Sequence, residues 1–154
     1  MTRWLTDDEQ RMWRGWLDMH AAVGQATSEQ LAEHGLSEAD WALLVPLSEG
    51  PADGLRARDL GRVVGWDRSR VSHQLRRMEA RGLVERLDCP TDARGTVVRL
   101  TAQGRRLVEA AAPGHVETVR RVFVDLVDAD ELALLTDVAR RVREAAGDPP
   151  CGRD

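Results

Sequence analysis

Residues 67–81 carry the clearest chemical pattern in the chain. If they form a helix, one side of it carries the apolar residues Val71, Leu75 and Met78. The opposite side carries guanidinium, imidazole and hydroxyl groups without an acid, from Ser69, Arg70, His73, Arg76 and Arg77, with Ser72 at its edge. Arg68, at the start of the helix, is a further candidate contact. An ordinary exposed helix mixes charges of both signs. We therefore predict that this face binds a polyanion, because arginine donates paired hydrogen bonds to phosphate and to guanine.

The distribution of charge supports this prediction, although the total does not. The formal net charge of the 154 residues is −4. Residues 55–106 nevertheless contain 13 arginines and six acids, whereas the rest of the chain contains nine arginines and 20 acids. The chain has no lysine. A basic middle third between acidic flanks is typical of a DNA-facing module on an acidic body.

A β-hairpin is predicted directly after this helix. Leu83–Leu87 and Thr96–Leu100 have the composition of short strands, and the turn formers proline and glycine lie between them at residues 88–95. Arg86 lies on the first strand and Arg94 lies near the tip. We expect both arginines to contact DNA from a wing beside the helix.

The elements that position these residues follow from apolar spacing and from capping signals. Ser37, Asp67 and Thr101 are the predicted caps of the second, fourth and fifth helices. Helices are predicted over residues 7–34, 38–49, 56–64, 67–81 and 102–127, with a last helix that begins at a capping pattern in 128–131 and continues to about residue 145. Pro113 predicts a kink or break in the fifth helix. Two short helices joined at Gly65 have the shape of a helix-turn-helix. The predicted fold class is mostly α with a small β-hairpin.

This arrangement resembles the MarR family of bacterial regulators. The resemblance covers residues 55–107, where a helix is followed by three short patterns in the family's order and spacing. These are a Gly-Leu-Val-x-Arg exit (Gly82, Leu83, Val84, Arg86), an Asp-x-Arg wing (Asp92, Arg94) and a Leu-Thr-x-x-Gly re-entry (Leu100, Thr101, Gly104). The flanking helices match the family in layout alone.

The resemblance implies a division of labour along the chain. Residues 1–36 and 107–154 are expected to form a helical dimerisation region with intertwined subunits, and residues 37–106 a winged helix-turn-helix that binds DNA. The recognition helix would enter the major groove, Arg94 would reach the minor groove, and Asp92 would order the hairpin. His73 and Arg70 stand where the family commonly has arginine and threonine, so we expect a different base preference.

Two aromatic residues on the first helix are candidates for a ligand site. Trp16 and His20 are one helical turn apart. The resemblance implies a pocket for a small aromatic or phenolic effector between the dimer helices and the DNA-binding lobe, which these residues would line. Alternatively, both pack in the dimer core beside Trp13. His115, at the predicted helix break, is equally ambiguous.

Cys89 offers a different alternative, because it lies at the wing near Arg86 and Arg94. A thiol near positive charge is typical of a redox sensor. The peroxide-sensing branch of the family carries its cysteine near the N-terminus instead, and this chain has none there, which favours an ordinary turn residue.

Other functions lack a pattern to support them. The four histidines do not pair with cysteines or with each other at metal-ligand spacing, and we find no nucleophile motif, phosphate loop or dinucleotide fingerprint. We therefore expect no enzyme activity, metal or cofactor. The absence of a long apolar stretch predicts no membrane association and a cytoplasmic protein.

The sequence thus predicts a sequence-specific regulator that binds double-stranded DNA. We expect a homodimer on a pseudo-palindromic operator, acting as a repressor that a small-molecule effector releases. The alternatives are a winged-helix scaffold for protein contacts and a thiol-based redox sensor through Cys89.

Overall fold

The computed structural model describes residues 1–89 and 92–147, and at residues 88, 89 and 92–95 it describes the backbone alone. The helices are α1 (Asp7–Glu33), α2 (Glu38–Glu49), α3 (Ala57–Val64), α4 (Arg68–Ala80), α5 (Ala102–Val122) and α6 (Ala129–Ala145), with a short 3₁₀ turn at Val124–Leu126. The strands are β1 (Leu55–Arg56), β2 (Val84–Cys89) and β3 (Asp92–Leu100). The predicted class, mostly α with a small antiparallel hairpin, is confirmed.

Short polar side chains begin five of the helices. Thr6, Ser37, Asp67, Thr101 and Asp128 each accept a hydrogen bond from a backbone N–H in the first turn. In α1, α2 and α6 the third helical residue returns a hydrogen bond to the backbone N–H of the cap. These reciprocal pairs satisfy N–H groups that a helix leaves without partners. The first residues predicted for the helices agree with those in the structure to within about one residue.

The sheet is larger than the sequence predicts. β2 extends to Cys89, β3 begins at Asp92, and β1 adds a third strand, giving the order β1-β3-β2 with antiparallel neighbours. The register shifts between Asp88 and Cys89. β1 went unpredicted because a two-residue strand has no periodicity to detect. Its pairing of Leu55 with Val98 joins the start of the helix-turn-helix to the hairpin.

Of the kink or break predicted at Pro113, the break is wrong, and the kink stays a prediction. α5 runs through this proline to Val122 and then ends in the 3₁₀ turn. A proline removes one backbone hydrogen bond, which a helix tolerates when tertiary packing holds it on both sides. Ala111 and Thr118 are buried on either side of Pro113, and the amide of Gln30 on α1 donates to the carbonyl of Ala111 at 3.3 Å.

The hydrophobic core lies between the helix-turn-helix, the sheet, the C-terminal end of α1 and the first half of α5. Its buried members are Leu31, Leu36, Leu43, Leu44, Leu47, Leu60, Val71, Leu75, Met78, Leu83, Val84, Val98, Val108 and Ala111. α1 contributes Leu31 alone to this set, and α6 contributes none. The core therefore accounts for the central region, while most of α1 and all of α6 lie outside it.

One close approach inside this core depends on a glycine. A Cβ on Gly104 would overlap the carbonyl oxygen of Leu83, where the start of α5 crosses the start of the hairpin. The backbone cannot shift freely there, because the hydroxyl of Thr101 accepts the N–H of Gly104 at 3.0 Å and donates to the carbonyl of Gly82 at 2.6 Å.

We predict that Gly104→Ala lowers the free energy of unfolding by about 1–3 kcal/mol, the usual cost of overpacking. Gly24→Ala is the matched control, since its Cβ would lie 3.6 Å from Glu38 Oε1, an ordinary contact. That variant should be neutral or more stable by up to about 1 kcal/mol, the helix propensity of alanine over glycine. Urea denaturation measures both, and equal midpoints for the two variants would contradict the prediction.

Candidate nucleic-acid interface

The recognition helix α4 is held by one face and exposed on the other. Val71, Leu75 and Met78 are buried, and so is the amide side chain of Gln74. The predicted contact residues are all exposed, namely Arg68, Ser69, Arg70, Ser72, His73, Arg76 and Arg77. Gly65, with φ of 67°, makes the left-handed turn that precedes the helix. The structure thus places the cationic residues together on one accessible surface, which we call the α4 face.

Most of this charge is not neutralised by the protein itself. Among the residues that the structure describes, no ion pair involves Arg68, Arg70, Arg76 or Arg77. α6 behaves in the opposite way. Its Arg140 pairs with Asp137 and Glu144 at 2.6 and 2.9 Å, as on an ordinary exposed helix. An unpaired row of guanidinium groups attracts anions that lie outside the protein.

A buried carboxylate fixes α4 against α2. Asp40, only 1% exposed, accepts a hydrogen bond from Gln74 Nε2 at 2.8 Å and forms an ion pair with Arg81 at 2.8 Å. The backbone N–H and the hydroxyl of Ser37 donate to it at 2.9 and 2.8 Å. Arg81 also donates to the carbonyl of Gly35, at the end of α1. We call these five residues the Asp40 network.

The charge on Asp40 is stabilised overall. Burial disfavours the ionised form, but the hydrogen bonds from Ser37 and Arg81 outweigh it, so the pKa of Asp40 lies below its ordinary value. Sequence reasoning identified the Ser37 cap and missed the network. The capping pattern Ser37-x-x-Asp40 was the available signal for the local part, whereas nothing in the sequence marks the contacts with Gln74 and Arg81.

Arg86 has a partner within the chain. Its guanidinium pairs with Glu79 on α4 at 2.6 Å, and its backbone N–H donates to the same carboxylate at 3.3 Å. Hydrogen bonds from Arg86 lower the pKa of Glu79. Arg86 therefore ties the hairpin to the recognition helix, a role that the sequence did not predict. Its predicted contact with DNA stays a prediction.

A cationic groove of about 370 Å³ lies between α3, α4 and the hairpin. Four arginines and one aromatic ring line it, from Arg56, Arg58, Arg68, Arg86 and Trp66. Arg58 is paired with Asp59 at 3.3 Å. The groove continues the positive surface of the α4 face towards the hairpin.

The tip of the hairpin carries three predicted functions that fall outside the described side chains. They are the minor-groove contact of Arg94, the ordering role of Asp92 and the alternative redox thiol of Cys89. The backbone places Cys89 opposite Asp92 in the antiparallel ladder. These assignments stay predictions.

The candidate ligand residues Trp16 and His20 are stacked on each other. Their ring centroids are 5.5 Å apart with an angle of 4° between the planes, and Trp13 stacks on Trp16 at 5.1 Å. The three side chains lie on the exposed half of α1. Neither the cationic groove nor a second cavity of about 410 Å³, between α1 and α5, is lined by Trp16 or His20.

His115 is placed differently. Its ring lies 4.9 Å from that of Trp41, between α5 and α2, and its buried Nδ1 has no hydrogen-bond partner in the described protein. Burial lowers the pKa of His115. The structure therefore gives His115 an aromatic neighbour of its own, separate from the Trp16–His20 stack.

Clusters of metal-ligating side chains and membrane-spanning helices are both absent from the residues that the structure describes. Across residues 1–89 and 92–147, no three His, Cys, Asp or Glu side chains are grouped to hold a metal ion. None of the described helices combines the length and apolar character needed to span a bilayer.

Comparison with known proteins assigns the chain to a family. The sequence model of the MarR family matches residues 34–95. The uncharacterized HTH-type transcriptional regulator YdgJ of Bacillus subtilis is 35% identical over 109 residues, which cover 71% of this chain and 65% of that protein. The chain thus matches slightly less than two thirds of YdgJ.

Two solved structures from Streptomyces coelicolor match over nearly their full length. The MarR family regulator AbsC is 38% identical with a TM-score of 0.91, over 94% of this chain and 98% of AbsC. The MarR family regulator Sco3205, solved in complex with DNA, is 35% identical with a TM-score of 0.90, over 100% of this chain and 96% of Sco3205. These relatives are transcription regulators and not enzymes. By fold and by sequence, the chain belongs to the MarR family of transcription regulators.

Proposed function

We propose that this regulator is a homodimeric repressor that binds a pseudo-palindromic operator in double-stranded DNA and is released by a small aromatic or phenolic effector. The observation that carries the proposal is the α4 face, where exposed arginines have no ion-pair partner among the described residues. The similarity to Sco3205, which was solved with DNA, supports the same function.

The geometry of the α4 face suits the major groove of DNA. α4 has 13 residues, which correspond to about 20 Å of helix, and the groove accepts one helix across its width. His73 and Arg77 lie four residues apart and point to the same side, so both can reach base edges together. Arg68 and the cationic groove then lie beside the DNA backbone, where they would hold phosphates. We propose that residues 37–106 form the DNA-binding region.

The apolar surfaces outside the core support a dimer. No residue of α6, which the structure describes completely, is buried within the single chain. Its leucines and valines nevertheless recur on one side, with exposures of 36–62%, at Leu132, Leu135, Val138 and Val142. Trp13, Trp16 and Leu17 on α1 are exposed as well. A second copy of the chain would cover both surfaces, and we assign residues 1–36 and 107–154 to that contact.

The Trp16–His20 stack on α1 is the proposed site for the effector. Trp16 offers a flat aromatic face and His20 a ring nitrogen, which together suit an aromatic acid or a phenol. A dimer that covers α1 would enclose this stack between the two chains. As a regulator of bacterial genes, the protein would act in the cytoplasm.

The test of DNA recognition is selection of bound duplexes from a randomised pool. We expect wild-type protein to return a consensus with two-fold symmetry and half-sites about one helical turn apart. Arg77→Ala should flatten the preference at one position of each half-site, at a cost of roughly 1–3 kcal/mol for each lost base contact. His73→Arg should change the preferred base more than the total affinity, because it alters the donor pattern and adds charge.

A matched control removes the same charge elsewhere. Arg120 on α5 is paired with Asp125 and lies outside the α4 face, so Arg120→Ala should return the wild-type consensus. An identical consensus from wild type, Arg77→Ala and His73→Arg would mean that these two residues do not read bases. A wild-type pool without any consensus would contradict sequence-specific binding altogether.

A further inference from the structure

An aromatic platform lies directly before the recognition helix. The guanidinium carbon of Arg70 lies 4.0 Å from the centroid of the Trp66 ring, a cation–π contact. The backbone of Arg70 is also held, because its N–H donates to Asp67 Oδ1 at 2.9 Å. Both ends of Arg70 are thus positioned, whereas an arginine on a helix surface ordinarily samples many rotamers.

Trp66 is itself held in place. It is half-buried in the turn between α3 and α4, where it packs against the hydrophobic core. Its backbone N–H donates to the carbonyl of Gly61 at 2.9 Å, and a Cβ on Gly61 would lie 3.1 Å from the carbonyl oxygen of Trp66. The ring under Arg70 is therefore a rigid surface rather than a mobile side chain.

The other arginines nearby lack this arrangement. Arg76 donates its Nε to the carbonyl of Ser72 at 3.4 Å, and Arg86 is paired with Glu79. Arg70 has no ion pair with any described residue, so its donors stay available. A guanidinium stacked by its flat face keeps its N–H edge free, and that edge matches the O6 and N7 acceptors of guanine.

We propose that Trp66 is a positioning residue that directs Arg70 to read a guanine at the start of the recognition helix. The position is suitable, because the N-terminal residues of a recognition helix contact base edges. The inference rests on the proposed DNA-binding function and adds to it a residue that touches no base. It also specifies which base Arg70 prefers.

The experiment is the same duplex selection, applied to Trp66→Leu, Trp66→Phe, Arg70→Ala and Arg70→Lys. Arg70→Ala should lose its guanine preference by about 5- to 150-fold at one position of each half-site. Trp66→Leu should weaken the preference at that same position by about two- to fivefold, which is the contribution of an exposed cation–π contact. Trp66→Phe should restore it, because the phenyl ring retains an aromatic face.

Arg77→Ala is the matched control and should affect a different position. Arg70→Lys keeps the charge but lacks the planar fork, and Arg70 is exposed, so this variant tests the inference even if Trp66→Leu unfolds. An unchanged guanine preference in Arg70→Lys would overturn the inference while the DNA-binding function stands. A uniform loss at all positions in Trp66→Leu that Trp66→Phe does not restore would also overturn it. A wild-type protein that selects no sequence would overturn both proposals.

Discussion

Leu135→Glu is expected to convert the proposed dimer into a monomer and to abolish tight operator binding. Leu135 lies in the middle of the apolar side of α6. Because the proposed dimer has two-fold symmetry, its interface contains the substituted residue twice. Both glutamate carboxylates are then removed from water. At several kcal/mol for each desolvated ion, we expect a loss of at least about 4 kcal/mol, or roughly a thousandfold in the dimer dissociation constant.

Sedimentation at micromolar concentration measures this effect, with the wild type at the mass of two chains and the variant at the mass of one. Ala133→Glu is the matched control, because residue 133 lies on the opposite side of α6 from Leu135. It adds the same charge and should remain a dimer. A monomeric wild type, or equal sedimentation of the two variants, would refute the assignment of α6 to the interface.

Asp40→Ala is expected to destabilise the fold by about 3 kcal/mol, the lower end of the range for breaking a buried ion pair. Gln74, only 7% exposed, would lose the acceptor that it reaches at 2.8 Å. Ser37 would lose the return bond of its capping box. The effect stays at the lower end because Arg81 is 41% exposed and regains water when its partner is removed.

Glu85→Ala is the control for Asp40→Ala, since Glu85 forms an exposed cross-strand pair with Arg99 at 2.6 Å. Such pairs contribute about 0–1 kcal/mol, so its denaturation midpoint should barely move. Similar losses in both variants would show that the Asp40 network is no more important than a surface pair.

The pH dependence of stability provides a second measurement on Asp40. Its pKa in the folded protein lies below the 3.8 of an unperturbed aspartate. The contribution of ionised Asp40 to the free energy of unfolding is therefore complete above pH 3.8. It is lost as the pH falls through the lower pKa that Asp40 has in the folded protein. Asp40→Asn does not titrate at this position, so the difference in stability between wild type and Asp40→Asn should shrink as the medium becomes more acidic below that pH.

The features predicted correctly from the sequence are those that depend only on residues close together in the chain. The helix starts at Ser37, Asp67 and Thr101 follow from capping, which depends on a hydroxyl or carboxylate close to the N–H groups it accepts. The single exposed face of α4 follows from helical periodicity alone. Both features depend on residue types and spacing that can be identified without knowledge of the tertiary fold.

The parts that sequence reasoning missed depend on contacts between distant residues. Gln74 and Arg81 meet Asp40 across 34 and 41 positions of the chain, and neither residue type is distinctive by itself. α5 continues through Pro113 because packing on both sides compensates for a missing hydrogen bond. The stack of Arg70 on Trp66 depends on the exact backbone path of the turn between α3 and α4. The capping signal at Asp67 predicts where this turn ends, but it does not predict the path of the backbone.

The exposed half of α1 has a consequence for how two copies of this protein come together. α1 has 27 residues, and its buried ones all lie near its C-terminal end. An isolated amphipathic helix is only marginally stable in water, so the outer turns of α1 would gain most of their order from the partner chain. Association and the folding of α1 then become one step. Subunits of the proposed dimer would then exchange slowly, because separating them would require the outer turns of α1 to unfold.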